Sequence, residues 1–500
     1  MKVCVIGTGA SGWMAANYLL KNPNITEIKI IGTSKIPTIG VGESTTGRFD
    51  DFLEMLGVDA AEFIAKSDAA VKYGVQYEGW GPRTFLHTFK SRFSFERNGW
   101  DQEQYGRLLG KKPVGQCVHE LISDKVWEFT RHNHVSVLAN GLWERQQNSA
   151  EVFDTMPREY VSAWHFDANC FIRYMRDRAS RDPRLHQVDA LVVDCAFDQD
   201  NMTSVTLEDG TVETADYFVI STGQTKFNQD VFRAEYQDLS DVLLTDRAVF
   251  MPVEYKDLDR EFHPYTVARA MRHGWRWITP TFSRIGTGYA FSSRHCTDQE
   301  AIDEFLADVG DTDRKPFVVD FTPRAVTRAY HPRHCFLGMA AGFLEPLDAP
   351  GLDQAVNNIL QIDEYLRWEP HVRIKRIDDI NRIAKQKTQW LSAFILAQYK
   401  HSTRSDTKFW QDQKAVSCSW YEELMANFDN IGRVTRNHQM MFYHTVSARD
   451  VQWPVSEELA DVPLEPVPEI ELPTMHHRYF IEHMHELYQK SITHDSDTAA

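Results

Sequence analysis

Apolar residues recur along this chain with different periods, and each change of period marks an element. Met1–Ile6 is short, apolar and rich in β-branched residues, the pattern of a buried parallel strand. Trp13–Lys21, with Met14, Ala15, Ala16, Leu19 and Leu20, is a helix-forming run, and Ile28–Ile31 reads as a second strand. Thr45–Leu56 reads as a helix. Val71–Tyr77 then alternates: Val71, Tyr73, Val75 and Tyr77 share one face, Lys72, Gly74 and Gln76 the other. Taken alone, Lys72 is a solvated lysine on a half-buried strand. Phe166–Ala179 predicts a helix with Asp167 in its first turn. Strands are expected at Leu191–Val193, Ser204–Leu207 and Tyr217–Ile220, then near 248–253, 265–271, 274–279 and 285–291, followed by a helix near 298–308. From Gly351 to Trp368, Leu352, Ala355, Val356, Ile359 and Leu360 fall on one helical face. The pattern beyond about 374 is mainly helical, and Pro454–Pro473 reads as a strap.

The chain is organised around Gly7-Thr8-Gly9-Ala10-Ser11-Gly12, which lies between the first strand and the first helix. Glycine is needed at these three places for the tight turn, for close approach of backbone to a pyrophosphate, and for packing of helix on strand. The phosphates would then meet N–H groups at a helix N-terminus, where the dipole favours negative charge. Gly7, Gly9, Ala10, Ser11 and Gly12 are therefore candidate dinucleotide-binding residues. The fold expects an acid for the ribose at the end of the second strand. The sequence has Gly32-Thr33-Ser34 there, which makes Ser34 the candidate polar contact. Gly40-Val41-Gly42-Glu43 suits a loop lying against a ligand, with a surface loop as the alternative.

Together these features predict an α/β protein. Its core is a doubly wound, Rossmann-type (GR2-like) domain carrying an inserted β-sheet, with a mostly helical substrate domain beside it. The expected boundaries are 1–80 for the first part of the nucleotide domain, 81–150 for a substrate-side insert, 151–370 for the remainder with its inserted sheet, and 371–500 for the helical domain.

A net charge of −17 argues against nucleic acid or an anionic membrane as partner. The seven cysteines are scattered without a C-x-x-C, which predicts reduced thiols and a cytoplasmic compartment. His295-Cys296 and His334-Cys335 lack zinc-site spacing, so no metal is expected. No signal peptide or membrane-spanning run is read from the sequence.

Further motifs resemble one family in its own order. Gly274-Trp275-Arg276-Trp277-Ile278-Thr279-Pro280 is similar to the W-x-W-x-I-P signature of flavin-dependent halogenases, the family that includes the tryptophan halogenases. Phe343-Leu344-Glu345-Pro346-Leu347 matches its L-E-P-L segment, and Val71–Trp80 resembles its catalytic-lysine strand. The Ile39–Glu43 loop, Phe166–Phe171 and Arg404–Trp410 resemble it too.

The resemblance implies FAD as cofactor, used as FADH2. Reduced FAD, oxygen and halide together give hypohalous acid, which passes through a tunnel to a lysine beside an electron-rich, indole-like aromatic substrate. It carries that lysine over to Lys72, and the second catalytic group, a glutamate in the family, to Asp348. From the residues alone Asp348 could equally cap the helix that follows. The resemblance sets Gly338 and Leu347 beside the cofactor, Pro350 and Gly351 at the halide, and Trp275 and Trp277 at the tunnel. His87 and Phe89 are matched to the pair that sandwiches the substrate. Thr279 departs from the family's Ile. No second strand–glycine-loop–helix unit is seen for a nicotinamide, so the resemblance implies a separate flavin reductase as partner. A homo-oligomer is compatible with the sequence. The rival readings are a flavin-dependent aromatic hydroxylase and a non-catalytic FAD-binding relic.

Overall fold

Five parallel strands make the sheet that carries the glycine loop, in the order His334–Phe336, Tyr217–Ile220, Lys2–Ile6, Glu27–Gly32, Leu185–Asp189. The computed structural model describes residues 1–36, 40, 42–81, 84–88, 130–136, 163–428 and 474–498. Successive side chains of the first strand serve two cores, which is why it reads as uninterrupted apolar sequence. Val3 and Val5 pack under the Ala10–Leu19 and Pro350–Arg367 helices. Cys4 and Ile6 pack with Val192, Met202 and Val205, which belong to a small antiparallel sheet of Val192–Asp198, Asn201–Leu207 and Val212–Thr214. One face is thus covered by helices and the other by this second sheet. Asp167 caps the Ala168–Ala179 helix by accepting from the Cys170 N–H at 2.9 Å.

The inserted sheet has seven strands: Phe317–Asp320, Arg247–Val253, Ile285–Phe291, Gly274–Pro280, Thr266–Met271, Gly74–Glu78 and Phe85–Thr88. Part of the 81–150 stretch, expected as a substrate-side insert, therefore joins a sheet. His134–Ser136, from the same stretch, pairs with Thr474–His476. The helical portion comprises Pro370–His401, Lys408–Ala415, Ser419–Phe428 and His477–Thr498. Its Phe394, Tyr399, Phe409 and Trp410 pack against Tyr77, Trp275 and Trp277 of the seven-stranded sheet. The Pro454–Pro473 strap lies outside the described residues.

The alternating Val71–Tyr77 run is not one half-buried strand. It divides at Tyr73, whose N–H bonds to the Pro264 carbonyl at 2.9 Å. Ala70–Lys72 pairs with Ala163–Phe166, whereas Gly74–Glu78 pairs with Thr266–Met271 and Phe85–Thr88. Lys72 is consequently fully buried, contrary to the expectation of a solvated lysine.

Candidate active site

The glycine loop fits a dinucleotide. A Cβ on Gly7 would lie 2.1 Å from the Ser221 carbonyl oxygen, and one on Gly12 would lie 2.1 Å from that of Gly7. These two glycines let strand, loop and helix close on each other. Gly9 faces open space and caps the Ala10–Leu19 helix without a side-chain bond, leaving that helix end available to a pyrophosphate. Gly338 sits over Ser11, where its own Cβ would be 2.5 Å from Oγ. The Ser34 hydroxyl and N–H are both bonded to Asp189, at 2.8 and 2.9 Å. Glu43 begins the Glu43–Ser44 strand, and burial together with the Asp167 charge pushes its carboxyl up to about 7. Gly40 and Gly42 flank Val41, which lies outside the described residues, as does Phe89.

Lys72 Nζ donates to the Thr45 carbonyl at 2.8 Å. Burial lowers its pKa to about 7, against the opposing pull of the Asp348 carboxylate. Asp348, far along the chain, is thus within electrostatic reach of the lysine. It does not cap the helix that follows: that helix starts at Pro350, its N-cap is Ala349, and no side chain caps it. Asp348 accepts instead from the Tyr77 hydroxyl at 2.8 Å and lies 3.5 Å from His87 Nδ1. Asp348 and Ala349 are both left-handed, at φ 61° and 57°. That conformation is costly for residues other than glycine and is held here by tertiary contacts.

Three residues near the site are given no role by the sequence. Tyr77 lies in the alternating run, where it reads as core. Glu345, inside L-E-P-L, is fully buried and accepts from Thr245 at 2.6 Å and from the Tyr399 hydroxyl at 3.0 Å. Burial pushes its carboxyl up to about 7. His165 Nδ1 lies 3.0 Å from the Pro280 carbonyl and Nε2 lies 2.8 Å from Thr266 Oγ1. A carbonyl only accepts, so Nδ1 carries the proton and Nε2 accepts from Thr266. Thr266 in turn accepts from Ser44, at 2.9 Å. Burial and the neighbouring Lys72 keep this imidazole neutral. The chain of bonds ties the loop strand Glu43–Ser44 to the end of the Trp275–Pro280 segment.

A cavity of about 780 Å³ opens beside Asp348. Val75, His87, Asp348, Pro350, Phe394, Arg48 and Lys387 are among the residues that line it. Its volume is within the range of small-molecule sites. Trp275 and Trp277 have ring centroids 6.1 Å apart and share one apolar core with Tyr77, Leu344 and Leu347. Gly351 follows Pro350 in the first turn, with open space beyond its Cα. Among the described residues no cluster of His, Cys, Asp and Glu could hold a metal ion. No described helix is long and apolar enough to cross a membrane.

A dinucleotide cradle, a desolvated lysine and, within its electrostatic reach, a carboxylate lining a cavity of small-molecule size describe an oxidoreductase whose polar groups act on a small molecule. The chain belongs to the tryptophan halogenase family, whose model matches residues 2–447, and it is an enzyme of the flavin-dependent halogenase class. It is 27% identical over 441 residues to tryptophan 7-halogenase RebH of Lentzea aerocolonigenes, covering 83% of this chain and 79% of that protein. Tryptophan 6-halogenase ThaL of Streptomyces albogriseolus is 26% identical over 428 residues, covering 83% and 79%. Among solved structures, the fold is similar to Tar14, a tryptophan C-6 flavin-dependent halogenase (chlorinase) from taromycin biosynthesis. The TM-score is 0.76 at 20% identity, over 98% of this chain and 97% of that one. It is also similar to the tryptophan halogenase of Shewanella frigidimarina, with a TM-score of 0.75 at 19% identity, over 99% and 95%.

Proposed function

We propose that this enzyme halogenates an electron-rich, indole-like aromatic through Lys72 and Asp348, and prefers bromide or iodide to chloride. The observation that carries the reading is a fully buried lysine, at about 7, within electrostatic reach of Asp348, a mostly buried carboxylate that lines the cavity. The relatives named as tryptophan halogenases make free tryptophan one compound to try. FAD, supplied in reduced form by a separate reductase, would when bound provide the chemistry that turns oxygen and halide into hypohalous acid. Gly7, Gly9, Ala10, Ser11, Gly12 and Gly338 would hold it, with Gly40, Val41, Gly42, Glu43 and Leu347 toward the flavin. Lys72 Nζ holds the hypohalous acid by hydrogen bonding and sharpens the electrophilicity of its halogen. Asp348 orients that acid and takes the proton lost from the halogenated ring. His87 packs between Tyr77 and Phe394, with centroids 6.4 and 6.1 Å away, and presents the cavity wall to the substrate.

The reading is tested by incubating the enzyme with a flavin reductase, FAD, NADH, oxygen and bromide over a panel of indoles and phenols. Mass spectrometry is expected to find brominated product only when all components are present. Hydroxylated product with no halogen would turn the assignment to an aromatic hydroxylase. Rapid NADH oxidation without the reductase would remove the two-component scheme.

The halide preference follows from Pro350. Proline has no N–H, and the Ala349 N–H is used on the Pro346 carbonyl at 3.0 Å. The Gly351 amide and the helix end remain to attract an anion. Loss of one donor to an anion costs about 1.5–3 kcal/mol. Chloride, the most strongly hydrated of the three halides, suffers most. Competition at equal chloride, bromide and iodide, with a no-enzyme hypohalite control, is expected to favour the heavier halides. Pro350→Thr should raise the chlorinated share roughly tenfold. Dominant chlorination by the unaltered enzyme would refute the preference.

A further inference from the structure

We infer that Asp189, with the Ser34 it holds, binds the adenosine ribose of FAD in place of the acid that dinucleotide folds carry at the end of their second strand. The inference rests on the FAD reading above. The second strand ends at Gly32. A Cβ there would lie 2.4 Å from Thr8 Oγ1 and 2.6 Å from Thr8 Cγ2. The place from which a second-strand acid would project is therefore filled by a side chain of the glycine loop itself. An acid is absent from this strand end and has no room to enter it.

The next strand supplies one. Leu185–Asp189 runs parallel to Glu27–Gly32 with Gly32 opposite Asp189, and the Ala190 N–H bonds to the Gly32 carbonyl at 3.2 Å. Residues opposite one another in a parallel pair project to the same face, and neighbouring strands are roughly 4.8 Å apart. Asp189 thus stands one strand spacing from the usual position, at the carboxyl edge where dinucleotides bind.

Its carboxylate is already aimed. One oxygen accepts from the Ser34 N–H at 2.9 Å and the other from the Ser34 hydroxyl at 2.8 Å. These bonds hold the carboxyl below the usual range and so keep it an ionised acceptor. A carboxylate offers about four acceptor positions, so two remain for a pair of ribose hydroxyls. The Ser34 oxygen keeps acceptor capacity of its own. Lys35, next along the chain, pairs with Glu208 at 2.8 Å.

The test measures the dissociation constants of FAD, and of an FAD analogue lacking both hydroxyls of the adenosine ribose, by flavin fluorescence. The unaltered protein is expected to bind FAD about tenfold or more tightly than the analogue, the discrimination given by hydrogen bonds to a charged acceptor. In Asp189→Ala the FAD constant should weaken by that factor and the analogue's should stay within about twofold, so that discrimination disappears. Asp189→Asn, which keeps the shape, should lose part of it. Equal weakening for both ligands would make Asp189 only a staple for the Ser34 turn and overturn the inference, as would an unaltered protein that does not discriminate. Failure of the unaltered protein to bind FAD at all would instead sink the reading on which the inference rests.

Discussion

Replacing Lys72 by alanine is expected to lower halogenated product at least about 100-fold while FAD binding and reductase-driven oxygen consumption persist. The side chain reaches the Thr45 carbonyl and feels the Asp348 charge, so its loss leaves the glycine loop untouched. Removing a preorganised donor from a dry site commonly costs 10²–10³ in rate. Retained product would transfer the role elsewhere. The ammonium is the form that donates to hypohalous acid, so the halogenated share should fall as pH rises through about 7. A share that rises through the same range would favour a neutral amine forming a haloamine. Stability gives an independent check. Burial lowers this pKa from 10.5 to about 7, so the unfolded chain binds more protons than the folded one between those values. The contribution of Lys72 to stability therefore rises with pH across that window and is lost as pH falls toward 7. Lys72→Met should flatten this slope in thermal melts recorded from pH 7 to 10.

The second large effect is expected at Asp348. Asp348→Ala should reduce product formation about 100-fold, the usual scale for removing a general base, with little change in flavin affinity. In the proposed mechanism, the Tyr77 hydroxyl would let an aspartate serve where the family has a longer glutamate. Its hydroxyl holds one carboxylate oxygen at 2.8 Å, with His87 on the other side. Tyr77→Phe is expected to lower kcat about tenfold with little change in KM, since positioning rather than uniform binding is lost. In that background Asp348→Glu should recover most of the rate, because the longer side chain no longer needs the hydroxyl. Such a rescue would not follow if Tyr77 were only core packing, and its absence would count against the positioning role.

Parts of this site were legible because their physics is local. The glycine loop needs only a strand before it, a helix after it and glycine where backbones touch; the Cβ positions of Gly7 and Gly12 bear this out. The Tyr217–Ile220 and Ile285–Phe291 strands follow from apolar runs that a buried strand requires. The motif resemblance named the family, because several short segments in one order are specific even when each alone is not.

Other parts are set by contacts between distant segments. Period-two alternation assigns Lys72 to a face but cannot report that the run breaks at Tyr73 and enters two sheets, which is what buries the lysine. Asp348 looks like a helix cap in sequence because aspartate suits that place; the left-handed turn at 348 and 349 removes it from the cap and delivers it to Tyr77, 271 residues away. The absence of an acid after the second strand was visible in sequence, but not that Thr8 fills its place or that Asp189 lies opposite. By itself the sequence determined where backbone is held by neighbours a few residues away: the nucleotide loop, the strands, the helices and the family. Only the tertiary structure decided which charges lose their water and which carboxylate meets which donor. Desolvation and hydrogen bonding depend on groups brought together through space, and no local pattern records them.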